Sequence, residues 1–183
     1  MNKILLGAAI VAGLGIAAFA PQTARATDGT ITITGKVVAQ TCTVAGNAFG
    51  TPASVNVTLP LVLAPVLTTA GSVAGTTPFS IAIANCDPAL TKVQTFFSSG
   101  ANIDASTGNL NNTGTATNVQ VQLLNSSSAV MPLNGADATA QNSPTANLSS
   151  GAATLNYSAQ YISTGGATAG LVNTSVAFTM IYQ

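Results

Sequence analysis

The chain has no histidine, no glutamate and no tryptophan, and charged residues make up only 4% of its 183 positions. Without histidine there is no Ser-His pair and no imidazole to act as general base. Without glutamate, the side-chain carboxylates are Asp28, Asp87, Asp104 and Asp137, scattered along the sequence. This inventory fails the familiar catalytic constellations, and the chain is read as a non-enzyme. Two cysteines without histidine cannot complete a four-ligand zinc site. Asn102, Asp104, Thr107 and Asn109 make only a loose set of oxygen ligands for calcium, with no second carboxylate. No cofactor or metal is expected. The scarcity of Lys and Arg leaves no basic stripe for nucleic acid and no polybasic patch for lipid.

What is present starts with an export signal. Lys3 precedes an apolar run over residues 4–20, and Pro21 leads to Ala24-Arg25-Ala26. A basic start, an apolar centre and a small-x-small end are the parts of a secretory signal peptide. The competing reading, a membrane anchor, is weakened by three glycines and by the closing proline, and by a length near the short limit for a bilayer. Cleavage is expected after Ala26, leaving residues 27–183 as one soluble domain. Cys42 and Cys86 both fall in that exported part. In an oxidising compartment an even pair reads as a disulfide, the alternative being two free buried thiols.

Most of the exported chain alternates with a period of two. Val55, Val57 and Leu59; Phe79, Ile81 and Ile83; Val119, Val121 and Leu123; Leu155, Tyr157, Ala159 and Tyr161; and Val176, Phe178, Met180 and Tyr182 each alternate with small or polar residues. This is the pattern of half-buried strands. Turn-rich stretches over residues 45–52, 100–114, 135–151 and 163–170 separate them, which suggests an antiparallel Greek-key sandwich. Residues 61–74 have room for a short helical turn, but Pro65 and Gly71 oppose anything longer.

The two ends are the most informative parts. Residues 175–183 alternate, carry no charge, and contain no lysine, proline or glycine to discourage edge pairing. At the other end, Gly29, Ile31, Ile33 and Gly35 face one way in an extended chain, with threonines opposite. Two readings stand side by side: residues 30–34 form the first strand of their own sandwich, or they add as a strand to another copy.

The sequence resembles the major subunits of the type 1 fimbria family, assembled by the chaperone–usher route. The resemblance rests on Gly35-Lys36-Val37-Val38 leading to Cys42, and on Cys86 closing the strand of residues 79–85. It continues through Gly100-Ala101-Asn102-Ile103-Asp104 with Thr107-Gly108-Asn109-Leu110, then Asn118-Val119-Gln120-Val121-Gln122-Leu123. The penultimate Tyr182, with Met180, Phe178 and Val176 before it and Gly170 fourteen from the end, is its most specific element. It implies an all-β, incomplete immunoglobulin-like sandwich of six strands, the seventh supplied by a neighbouring subunit. Residues 27–35 would be the donor strand and residues 36–183 the pilin domain. Within the donor, Gly29 would sit where the groove floor is raised, Ile31 and Ile33 would fill pockets, and Thr27 would lie where exchange begins. Gly170, Val176, Phe178, Met180 and Tyr182 would belong to the groove strand. The implied partners are identical subunits, a periplasmic chaperone and an outer-membrane usher. The implied location is the cell-surface fimbrium, where the polymer supports adhesion. The competing functions are a minor or adaptor pilin and a secreted carbohydrate-binding sandwich.

Overall fold

The computed structural model describes residues 32–35, 42–48 and 50–183. The chain divides into one unit ending at Lys36 and a second over Val37–Gln183. The expected signal peptide, together with Thr27, Gly29 and Ile31, lies outside the described residues. In the first unit, residues 32–35 have no regular secondary structure, and Ile33 is 90% exposed.

The second unit is a sandwich of two antiparallel sheets. Its strands are β1 (Thr43–Val44), β2 (Val73–Ala84), β3 (Lys92–Phe97), β4 (Leu110–Asn111), β5 (Val119–Asn125), β6 (Thr145–Asn147), β7 (Ala153–Ser163) and β8 (Phe178–Tyr182). One sheet has the order β1-β2-β7-β5-β4 and the other β6-β3-β8. Alternation explains which face each strand turns inward. Ile81 and Ile83 of β2, Val121 and Leu123 of β5, and Leu155 and Tyr157 of β7 are buried between the sheets. Tyr157 sits at their centre, stacked on Phe79 with ring centroids 5.5 Å apart and meeting Phe97 edge-on at 5.7 Å. Burial pushes its phenol above the ordinary tyrosine value.

On the outward side of the five-stranded sheet, Asn109, Gln120, Gln122 and Gln160 are buried within a relay of neutral polar side chains. Thr76 donates to Gln160, Gln160 to Gln122, Gln122 to Asn109, Asn109 to Gln120 and Gln120 to Asn111. Each donor finds an acceptor, so the four buried amides are not orphaned.

Several expectations need correction. Val55, Val57 and Leu59 turn inward as a strand would, but no backbone hydrogen bond joins residues 52–59 to any described residue. They form an extended segment without a ladder. Five of the eight strands have five residues or more; with this segment they make six long extended runs. At the start of the second unit the described residues show the two-residue strand β1, residues 36–41 being outside the described set. β3 escaped the alternation pattern because both of its faces are covered. Val93 and Phe97 face the core, while Gln94 donates to the Ser143 carbonyl and Gln141 brackets the backbone of Phe97. The short helical turn is a 3₁₀ turn at Ala64–Leu67, with Pro65 in its first positions.

Candidate functional site

Between residues 50–59 and residues 172–180 the sandwich is open. The opening is a groove of about 1120 Å³ whose floor is made by core residues, among them Phe79, Ile81, Val121, Leu123 and Ala159. The two walls have the same construction. On one, Val55, Val57 and Leu59 turn inward; on the other, Val172, Val176, Phe178 and Met180 do.

Hydrogen bonding along the second wall uses every other residue. Ala116 N–H donates to Leu171 (3.0 Å), Thr113 N–H to Asn173 (2.8 Å) and Ser98 N–H to Ala177 (2.9 Å), all at backbone carbonyls. Lys92 and Gln183 exchange both backbone bonds at 3.0 Å. In an antiparallel ladder, successive residues aim their N–H and C=O groups at opposite edges. The odd-numbered residues are therefore tied to β3 and to the 98–116 region, and the even-numbered residues aim at the groove. Val172, Thr174 and Val176 make no backbone hydrogen bond with any described residue, and among the described strands β8 pairs with β3. The groove thus lies between two strand edges with open hydrogen-bonding groups and an apolar floor, the arrangement that accepts an added strand. The Thr174 hydroxyl in this wall is buried and has no partner.

The candidate site residues fall as follows. Cys42 and Cys86 are joined by a disulfide, Cα to Cα 4.1 Å, and both are buried. Val176, Phe178, Met180 and Tyr182 lie together on the inward face of the final edge. Gly170 stands where that edge begins, against the backbone of Ala116. Ile33 and Gly35 belong to the first unit, and Thr27, Gly29 and Ile31 are outside the described residues. The role of Val55, Val57 and Leu59 as the opposite wall went unread in the sequence. Their bracketing by Pro52 and Pro60, which cannot donate to a ladder, was the available signal.

The loose oxygen cluster is engaged within the fold. Asp104 Oδ1 accepts from the hydroxyls and backbone N–H groups of Ser106 and Thr107. The Ser106 hydroxyl foremost, then the Thr107 groups, hold its carboxyl well below the usual carboxylate range. Asn102 donates to Ser175 and Asn109 to Gln120, so Asp104 is the organiser of a turn.

Known proteins are similar to this chain in sequence and in fold. The family model described as "Type-1 fimbrial protein, A" matches residues 59–183. The F17 fimbrial protein of Escherichia coli is 44% identical over 177 residues, covering 93% of this chain and 96% of the relative. The major fimbrial subunit SMF-1 of Stenotrophomonas maltophilia (strain K279a) is also 44% identical, over 91% of this chain and 99% of that one. Among solved structures, a chaperone–usher pilus subunit superimposes with a TM-score of 0.59 at 20% identity, covering 90% of this chain and all of that one. The last comparison carries the fold: an incomplete immunoglobulin-like sandwich. The chain belongs to the type-1 fimbrial protein family and is a structural subunit of a surface fimbria.

Proposed function

We propose that this subunit polymerises by donor-strand exchange, residues 27–35 of one copy filling the groove between residues 52–59 and 172–180 of the next. The observation that carries the reading is the groove itself, open-edged on both walls and floored by the core. Lengths agree: nine residues of extended chain span about 27 Å, and so do the nine residues from Val172 to Met180. Chemistry agrees as well. Ile31 and Ile33 on one face of the extension each contribute roughly 1.5–3 kcal/mol when buried. Each backbone bond closed along the walls adds about 0.5–1.5 kcal/mol. Gly29 and Gly35 suit shallow places on the floor. The joint is heterologous and does not close on itself, so it propagates as a filament.

Before assembly the same apolar groove would be exposed, so a lone subunit is marginal and prone to aggregate. A periplasmic chaperone covers it in this scheme, after the signal peptide is removed behind Ala26, and an outer-membrane usher is where the extension of the incoming copy displaces the chaperone. The function requires no catalysis, consistent with the absence of histidine and glutamate from the chain. The test is Ile31→Asp, a change within the proposed donor extension, read on subunit that is exported and disulfide-bonded. Exported, disulfide-bonded subunit that fails to polymerise is the expected result; filaments at the normal level would sink the proposal.

A further inference from the structure

We propose that the uncharged end of the sandwich around Leu61, Leu63, Val66 and Leu171 is a second contact between copies, which docks the body of the neighbour whose extension fills the groove. The inference rests on the groove-filling reading for the neighbour's position and on separate observations for the surface.

Among the described residues of the second unit seven large hydrophobics are exposed, and five of them, Leu61, Leu63, Val66, Val73 and Leu171, belong to the same end. That end is tied together by backbone bonds from Gly71 to Ser163, Gly166 to Thr68, Ala167 to Leu67 and Ala116 to Leu171. Leu61 is 90% exposed, and Leu63 and Leu171 are each 67% exposed. No charged residue occurs in residues 59–73, 112–118 or 163–172, which make up this end. Exposed apolar side chains scattered singly need no explanation, but a clustered and charge-free set marks an interaction surface.

The surface is continuous with the groove. Leu61 lies two residues beyond Leu59 on one wall, and Leu171 directly precedes Val172 on the other. Val62 and Val172 pack on the same buried cluster of Leu67, Ala116 and Val119, which places both wall ends together.

Chain length requires a body beside the groove. Gly35 and Cys42 are seven positions apart, a stretch of at most about 25 Å. A neighbour whose residues 27–35 lie in the groove must therefore hold its own sandwich against one end of it. The opposite end carries Asp87 and Lys92, beside Gln183, whose backbone carbonyl accepts from Thr91 and Lys92. Desolvating those charges is costly, whereas covering Leu61, Leu63 and Leu171 is favourable. The apolar end is where the second copy sits.

The experiment uses the full chain exported with its own assembly machinery. A photoreactive benzoylphenylalanine replaces Leu63 or Leu171, and filaments are illuminated and separated under fully denaturing conditions. Crosslinked dimers are expected at both positions, falling at least tenfold when Ile31→Asp is added. The pair Leu63→Asp with Leu171→Asp should cut filament yield at least tenfold while disulfide-bonded subunit accumulates. Polymers that resist detergent in the parent chain but give no crosslink at either position overturn the contact and leave groove filling intact. Crosslinks that survive Ile31→Asp undiminished, or normal filament yield from the double variant, also overturn it. A parent chain with no detergent-resistant polymer at all defeats the groove-filling reading instead.

Discussion

Gly170 lies so close to Ala116 that a Cβ at position 170 would stand 2.5 Å from the Ala116 nitrogen and 2.8 Å from its Cα. The contact pins the start of the final edge to the loop before β5, and the bond from Ala116 N–H to the Leu171 carbonyl follows directly from it. With the bonds to Asn173 and Ala177, this anchor holds the edge on which Val172, Thr174 and Val176 face the groove. Gly170→Ala drives a methyl group into the Ala116 backbone and should cost about 1–3 kcal/mol, as overpacking does. Urea denaturation of the purified subunit checks this: an unchanged midpoint would mean that the loop yields without strain.

The disulfide has a different reach. Cys42 and Cys86 are 44 positions apart and join the start of β1 to the end of β2, strands that among the described residues meet at Thr43–Ala84 and Val44–Ile83. Closing a loop of that size stabilises the fold by about 4 kcal/mol in the chain-entropy model. Cys42→Ser should lower the denaturation midpoint accordingly and reduce the amount of subunit recovered after export. Equal midpoints with and without reductant would show that the bond carries no such weight.

Tyr157 gives the sandwich an alkaline limit. Burial raises its phenol, and Tyr161 is raised for the same reason. Thr95 and Ser143 flank the Tyr157 hydroxyl and pull weakly the other way, but neither meets it in good hydrogen-bonding geometry. An unfolded tyrosine ionises near about 10. A phenol raised above that value favours the folded state fully below about pH 10, and the contribution is lost as pH rises through its folded value. Tyr157→Phe should therefore move the alkaline unfolding transition to higher pH with little loss at neutral pH, since no hydrogen bond is given up. Ultraviolet difference spectra with circular dichroism follow both events. An alkaline transition at the parent pH would assign the limit elsewhere.

Much of this was legible in the sequence, and the parts that were not share physical reasons. The inward faces of β2, β5 and β7 follow directly from their alternation, and so does that of residues 176–182, because each has one face on the core and one turned away from it. β3 did not announce itself. Gln94, Thr95 and Phe97 are all buried, so polarity does not alternate along a strand covered on both sides. Val55, Val57 and Leu59 read as a strand, and their side chains obey, but pairing depends on a neighbour that alternation cannot reveal. The groove exists in that difference between side-chain pattern and backbone pairing. β4 and β6, at two and three residues, are too short for any periodicity and lay hidden in stretches rich in glycine and asparagine.

The central claim is that residues 27–35 complete the sandwich of another copy. Its most direct test is export of the chain with and without those nine residues, measuring detergent-resistant polymers of otherwise disulfide-bonded subunit. The account predicts a ladder of polymers from the complete chain and none from the shortened one, which should remain bound to its chaperone or be degraded. Detergent-resistant polymers from the shortened chain would contradict it.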